Sequence, residues 1–312
     1  MSRDLMFEQQ LFNIFEDKIS DEFNINLKTI NNYQPDISPI YYCCLLNKRV
    51  LHHKRKVLIS DEFESCDFSK SSEWLSLKAF IENAGDINSY MSKRINDWNS
   101  VDYLLNTCGV SHFHIRKNKD GGIGKELIFG IFTKDEFYAI MYGDHNNIYD
   151  HEMMVNVADR NWPGKLFRYS SEPDVGSGIN RNDFKLFANH PEIQFNLFNP
   201  SIIKDHNGNR VCSLNNNQHT QLQDVLLNGV EYKSIPTKVY FAYCNELSFL
   251  EVEEEELRRK YRGYKMKLGV DLHSMRYTVT MIPTASYSKT FFVKYIDMPD
   301  YITCSRYEYY MS

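Results

Sequence analysis

His112 and His114 lie two residues apart in the segment Gly109-Val-Ser-His-Phe-His-Ile115, and the pair Asp144-His145 follows further along the chain. Imidazole is the side chain whose charge changes near neutral pH, and a carboxylate can orient it for proton transfer. Imidazole and carboxylate groups also bind metal ions. These residues are therefore the first candidates for a chemical role.

The elements that must position these residues are predicted to be strands. A strand is predicted over 110–116, so His112, His114 and Arg116 would share one face and Phe113 the other. A loop over 117–124, a strand over 126–133, a turn at 134–135 and a strand over 137–142 complete an antiparallel meander. The end of its third strand would bring in the last two candidates. The predicted catalytic cluster is His112, His114, Arg116, Asp144 and His145.

This cluster has the ingredients for proton transfer on a phosphate group. His112 or His114 would act as general base and acid, Arg116 would stabilise the developing charge, and Asp144 would orient His145. This interpretation needs no metal and no cofactor. Two alternatives remain open: the histidines coordinate a metal ion, or they are hydrogen-bonded structural residues of a strand with a polar face.

The rest of the pattern predicts an α+β protein, with helices and an antiparallel meander in a first domain and a β-rich second domain. Helical spacing and capping residues predict helices over 5–19, from Ser72, from Asp86, over 100–107 and over 150–161. Strands are predicted at 41–46, 57–59, 238–244, 264–270, 277–282 and 290–296, with a hairpin turn at Asn207-Gly208. The first domain would cover residues 1–165 and the second 184–312, joined by a linker of about 166–183.

Two basic segments are candidates for contact with nucleic acid. His53, Lys54, Arg55 and Lys56 form the densest one and could contact phosphates from a loop. A second runs from Arg258 to Arg262 and continues to Lys265 and Lys267, with Tyr261 and Tyr264 interleaved. Glutamates at 253–256 would form i, i+4 pairs with residues 258–260 and neutralise much of this segment.

Composition limits the partners and the cellular location that can be expected for this chain. The formal net charge is −5, so nucleic acid would be bound by local basic patches rather than by the whole chain. The seven cysteines include no Cys-x-x-Cys pair, which favours reduced thiols and a cytoplasmic location. The first residues do not form a signal peptide, and no apolar run approaches the roughly 18 residues of a membrane span. A membrane partner is not expected.

Residues 86–163 resemble a family of poorly characterised bacterial proteins. That family carries a leucine-leucine-asparagine segment, a glycine-isoleucine-histidine-histidine-leucine-histidine-leucine signature and a later aspartate-histidine pair. The matching residues are Leu104-Leu-Asn106, Gly109-Val-Ser-His-Phe-His-Ile115 and Asp144-His145, supported by Asn96-Asp-Trp98 and Arg160-Asn-Trp-Pro163. Ser111 replaces the first histidine of the signature, and Cys108 replaces an aromatic residue. The family has no secure activity to transfer.

The order of helices, meander and helix is also similar in architecture to RelE/ParE-type toxins, which are small ribonucleases that cut RNA without a metal. This likeness concerns the fold alone. Together with the histidine cluster it favours a nucleic-acid-directed effector of bacterial or phage conflict, with RNA as the preferred substrate. The alternatives are a non-enzymatic module that binds a partner protein, and a metal-dependent hydrolase.

Overall fold

The computed structural model describes residues 6–30, 33–97, 100, 102–170, 202–204, 210–215, 222–227, 230–284 and 291–299. Helices and sheets both contribute, and the predicted α+β class is confirmed. The chain divides into a terminal unit (residues 1–47 with 224–312) and a central unit (residues 48–223). This division differs from the predicted boundary at 166–183. The N-terminal helix contacts elements near the C-terminus, and no local sequence pattern encodes such a long-range contact.

A mixed four-stranded sheet forms the middle of the central unit. Its strands are β1 (Lys56–Ile59), β2 (Ser111–Asn118), β3 (Gly121–Phe132) and β4 (Glu136–Asp144), in the order β1-β4-β3-β2. The meander β2-β3-β4 is antiparallel as predicted. The parallel pairing of β1 with β4 was not predicted. The loop predicted over 117–124 is instead a turn at residues 119–120, because β2 and β3 continue towards each other.

Short helices flank this sheet. They are α3 (Asp61–Ser65), α4 (Ser72–Glu82), α5 (Tyr103–Cys108) and α6 (His151–Asn161), with 3-10 turns at Asp67–Lys70, Ile87–Tyr90, Lys93–Asn96 and Asn147–Tyr149. Helix α4 begins where predicted, since the Ser71 hydroxyl accepts a hydrogen bond from the backbone N–H of Trp74. Helix α5 ends at Gly109, whose φ of 71° suits glycine. The helix predicted from Asp86 is instead two separate 3-10 turns.

Alternation along the strands creates a core on each face of the sheet. One core joins helix α4 to buried strand residues, namely Trp74, Leu77, Ile81, Phe113, Ile128 and Phe137. The other joins α5 and α6 to the opposite face, through Leu104, Met154, Ala158, Leu127, Phe129 and Ile140. The histidines of β2 occupy the positions on either side of Phe113. The two cores therefore fix the direction in which their side chains leave the strand.

A small antiparallel sheet continues the central unit. It contains β5 (Phe167–Ser170), β6 (Ile202–Lys204) and β7 (Arg210–Asn215), in the order β5-β7-β6. The pairing of β6 with β7 is consistent with the predicted hairpin, although its turn at Asn207-Gly208 lies outside the described residues. Most of the predicted linker, residues 171–183, also lies outside them.

The terminal unit contains the helices α1 (Phe7–Phe23), α2 (Ser38–Asn47) and α7 (Thr237–Lys260). Its strands are β9 (Val230–Pro236), β10 (Tyr264–Asp271), β11 (Arg276–Pro283) and β12 (Phe292–Asp297), together with β8 (Leu222–Leu227), whose first two residues belong to the central unit. Strands predicted at 41–46 and 238–244 are wrong, because these residues are helical. Residues 38–46 are buried on every side of α2, so their apolar run carries no helical period that distinguishes it from a strand.

The sheet β10-β11-β12 has one buried and one open face. Its buried residues alternate along the strands: Met266, Leu268, Tyr277, Val279, Met281 and Ile296. Gln10 of α1 covers the outer edge of β10, where its amide donates to the Met266 carbonyl and accepts from the Leu268 N–H. No helix in the described part of the chain is long and apolar enough to cross a membrane.

Candidate functional site

The register of the meander brings His114 and His145 together. His114 on β2 is paired with Leu127 on β3, and Leu127 is paired with Gly143 on β4, two residues before His145. The ring centroids of His114 and His145 are 5.4 Å apart. His145 is exposed, whereas His114 is buried. The structure therefore places a solvent-facing imidazole next to a buried one.

The buried ring of His114 is held in an unusual environment. Its Nδ1 atom is buried and has no hydrogen-bond partner among the described residues. Burial lowers the pKa of His114, and the neighbouring imidazoles of His145 and His112 lower it further, while a hydrogen bond to the Gly124 carbonyl acts in the opposite direction. His114 is thus kept in its neutral form, which can accept a proton.

Gly122 on β3 gives this ring its space. A Cβ atom at that position would lie 2.4 Å from Cδ2 of His114 and 2.1 Å from the Tyr90 carbonyl oxygen. Both distances are shorter than non-bonded atoms permit, and the carbonyl belongs to the backbone. The close approach of β3 to the histidine therefore depends on glycine at position 122.

His112 has a carboxylate neighbour that the sequence analysis missed. Its Nδ1 atom is 3.6 Å from Oδ2 of Asp102, and its ring lies 6.1 Å from the Phe129 ring. The other carboxylate oxygen of Asp102 caps helix α5 by accepting a hydrogen bond from the Leu105 N–H. An aspartate at a helix start is a recognisable capping signal, but only the fold shows that the same side chain faces His112.

Arg116 lies in a different setting from the one predicted. The pairing of β2 with β3 shifts between His114 and Arg116, which interrupts the simple alternation of faces. Its guanidinium is exposed and lies 4.0 Å from Glu126, whose carboxylate also accepts a hydrogen bond from the Tyr142 hydroxyl. Burial and this carboxylate raise the pKa of Tyr142 to about 12. Within the described residues Arg116 forms no ion pair or hydrogen bond with the histidines.

Asp144 does not orient His145 as predicted. Its carboxylate accepts a hydrogen bond from the backbone N–H of Asn146 at 2.7 Å, and its own N–H donates to the Asn147 side chain. These bonds stabilise the turn that follows β4 and give the carboxylate a local role. The carboxylate of Asp144 is engaged in this Asx turn, which keeps it from orienting the ring of His145.

Two further observations concern metal binding and thiol chemistry near the histidines. Among the described residues, no group of three or more histidine, cysteine, aspartate or glutamate side chains is arranged to hold a metal ion. The thiol of Cys108, close to this region in sequence, is buried, and burial raises its pKa to about 12. A protonated, buried thiol is a poor nucleophile.

The first basic segment is only partly available to a ligand. Arg55 is buried, and its guanidinium donates hydrogen bonds to the carbonyls of Thr133, Leu51 and His53. It therefore stabilises the loop and is not available for the predicted phosphate contact. Nε2 of His53 lies 3.4 Å from Oδ1 of Asp135. The side chains of Lys54 and Lys56 are exposed. A charge-rich segment is usually exposed. Arg55 is buried instead, because backbone carbonyls accept hydrogen bonds from its guanidinium.

The lowered pKa of His114 predicts a pH-dependent stability of the central unit. In the unfolded chain His114 binds a proton at its ordinary pKa of 6.5, whereas the folded state resists protonation. The unfolded state then binds more protons, so the free energy of unfolding falls as the pH drops below 6.5 and through the lowered pKa. Urea unfolding followed by tryptophan fluorescence at a series of pH values measures this. His114→Gln should show a weaker pH dependence, and an equal dependence in both proteins would contradict the prediction.

No known protein family, curated protein or solved structure matches this chain. The site must therefore be interpreted from its own geometry.

Proposed function

We propose that this protein is a nucleic-acid-directed effector that cleaves RNA by metal-independent acid–base chemistry. The observation that carries the proposal is the pairing of buried His114 with exposed His145 at 5.4 Å. His114 has a lowered pKa, and its Nδ1 atom has no hydrogen-bond partner among the described residues. A titratable group with a shifted pKa beside a second titratable group is a feature of many functional sites. His112, on the same strand face as His114, and its neighbour Asp102 at the start of α5 extend the cluster.

The proposed reaction is transphosphorylation within the RNA strand. The 2′-hydroxyl oxygen attacks the adjacent phosphorus, and the bond between phosphorus and the 5′-oxygen breaks. Neutral His114 accepts the 2′-hydroxyl proton as general base, and His145 gives a proton to the leaving 5′-oxygen as general acid. For Arg116 to stabilise the charge on the phosphorane, its guanidinium must first leave Glu126. Its 4.0 Å ion pair with Glu126 is loose and exposed, so exchanging it for a phosphate costs little.

Three alternatives have less support. A purely structural role predicts histidines that are buried with their hydrogen bonds satisfied, and Nδ1 of His114 has no such bond among the described residues. A metal-dependent hydrolase needs several converging ligands, and the described residues offer no such group. A module that binds a partner protein remains the runner-up, because exposed apolar residues such as Phe291 and Tyr295 lie in the terminal unit.

The direct test is incubation of the purified chain with total RNA and a labelled single-stranded RNA in the presence of EDTA. The wild type should produce fragments with 2′,3′-cyclic phosphate ends, and His112→Ala/His114→Ala should not. His273→Ala, which removes an exposed histidine of the terminal unit, is the matched control. Intact RNA with the folded wild type, or equal cleavage by the double variant, would overturn the proposal. Induced expression of the same variants shows whether toxicity follows cleavage.

A further inference from the structure

We propose that the terminal unit binds single-stranded nucleic acid on a surface where α7 meets β10 and β12. This aromatic–basic patch consists of Tyr261, Tyr264, Phe291, Phe292, Arg259, Lys260 and Arg262. It provides a binding site in addition to the histidine cluster. Its biological setting rests on the proposed function, but its binding can be measured without any cleavage.

The aromatic part of the patch is a group of tilted rings at the end of the sheet. The Phe292 ring centroid lies 5.4 Å from that of Tyr261 and 5.6 Å from that of Tyr264. Phe292 is 36% exposed, and its neighbour Phe291 is 70% exposed. An exposed group of aromatic rings gives unpaired bases a surface on which to stack, and stacking tolerates any base because every base has a π-face.

The positive charge of the patch is not neutralised as the sequence suggests. Of the predicted i, i+4 pairs on α7, only Glu254 with Arg258 forms, at 2.5 Å. Arg259, Lys260 and Arg262 are exposed and have no carboxylate partner among the described residues. The Lys260 ammonium lies 5.5 Å from the centre of the Tyr261 ring. Positively charged side chains therefore lie beside the aromatic rings. In such an arrangement the cations can contact the phosphate backbone while the bases stack on the rings.

The opposite face of the same sheet carries similar side chains, whereas Tyr264 and Phe292 leave the sheet on the side of Met266 and Met281. Residues that point away from the buried face include Lys265, Lys267, Thr278, Thr280 and Tyr295. Tyr295 is 65% exposed. Lysines and hydroxyl groups are suited to phosphate and sugar oxygens, and Tyr295 adds another stacking surface.

A single strand fits this surface better than a duplex, a peptide strand or an apolar protein partner does. A duplex hides the faces of its bases, so the exposed rings would find no partner to stack on. A peptide strand could pair with a sheet edge, but Gln10 already occupies the outer edge of β10. Pairing along the other edge, β12, would use backbone groups and leave Arg259, Lys260 and Arg262 without a partner. An apolar protein partner would have to desolvate Arg259, Lys260 and Arg262 beside the rings, and this costs free energy that phosphates would offset.

The test uses fluorescence anisotropy of the full chain with a labelled oligothymidylate of about 12 nucleotides. This DNA has no 2′-hydroxyl group, so the proposed reaction cannot cleave it. Arg259→Gln/Arg262→Gln should make the slope of log K against log salt less steep by about 1.4, since each phosphate contact contributes about 0.7 on a single strand. Phe291→Ala should weaken binding by about five-fold or more. Lys28→Gln/Lys70→Gln removes the same charge from exposed positions elsewhere and should bind as the wild type does.

The outcomes separate this surface from the histidine site. Wild-type protein that does not bind the oligonucleotide, or patch variants that bind as well as the Lys28/Lys70 control, would overturn the proposal. A protein partner that is lost in Phe291→Ala, without oligonucleotide binding by the wild type, would assign the patch to protein recognition instead. If RNA is not cleaved but oligothymidylate binding depends on the patch, the proposed reaction fails and the binding surface stands.

Discussion

His145→Ala is expected to lower the single-turnover rate constant of RNA cleavage by about 10²–10⁴-fold, the usual contribution of one general acid or base. His145 is exposed at the end of β4, and its ring faces buried His114 at 5.4 Å. Removing an exposed side chain changes stability little, about 0.5 kcal/mol or less. The loss should therefore appear in the rate constant and not in the folded fraction, which distinguishes a catalytic role from a structural one.

Asp144→Asn is the matched comparison for that variant. It changes the adjacent residue in the same turn, and an asparagine oxygen can still accept the hydrogen bond that Asp144 accepts from the Asn146 N–H. Cleavage should therefore fall far less than in His145→Ala. Similar losses in both variants would indicate that the turn as a whole matters and that the imidazole does not. An unchanged rate constant in His145→Ala would remove this residue from the mechanism.

The elements that the sequence predicts correctly are those with a local signal. Ser71 caps α4, Gly109 ends α5, and alternation defines the strands of the meander. Helix α2 and the start of α7 were predicted as strands because both contain short apolar runs rich in tyrosine and cysteine. A run of that length is compatible with either structure, and burial among other helices decides the outcome. The parallel pairing of β1 with β4 depends on contacts far apart in the sequence.

The arrangement of the candidate residues was only partly predictable from the sequence. Spacing of two residues in a strand correctly places His112 and His114 near each other, and His114 meets His145 across the meander. Asp102 could not be assigned, because a helix cap ten positions away faces His112 only after folding. Arg116 lies beside Glu126 because the strand pairing shifts, and a register shift has no clear signal in one sequence.

These corrections change how the site would work. The predicted cluster assigned orientation to Asp144 and charge stabilisation to an arginine on the histidine face. In the observed geometry, Asp102 is the carboxylate that lies beside an imidazole, that of His112. Arg116 forms an exposed ion pair with Glu126. In the proposed reaction, proton transfer would then depend chiefly on the contrast between buried His114 and exposed His145. Two imidazoles in different environments can take different roles at one pH, as general base and general acid require.

The meander that holds these histidines depends on Gly130, and Gly130→Ala is expected to destabilise the central unit by about 3 kcal/mol. A Cβ atom there would lie 2.5 Å from the Tyr138 carbonyl oxygen and 2.5 Å from Cε2 of Phe137. The carbonyl belongs to the backbone of β4. The buried Phe137 ring is stacked on Phe132 at 4.2 Å and lies 5.7 Å from the Phe113 ring, so neither neighbour can move without disturbing the core.

Gly85→Ala provides the contrast for Gly130→Ala, because a Cβ atom at Gly85 would meet only the Phe80 ring, also at 2.5 Å. That ring is half-buried and can rotate towards solvent, so the expected loss is smaller. The three tryptophans, Trp74, Trp98 and Trp162, all belong to residues 48–223, so urea unfolding followed by their fluorescence reports on the central unit. If Gly130→Ala unfolds at the same urea concentration as Gly85→Ala, β3 and β4 are not held as closely as these distances require, and the pairing that brings His145 to His114 loses its structural basis.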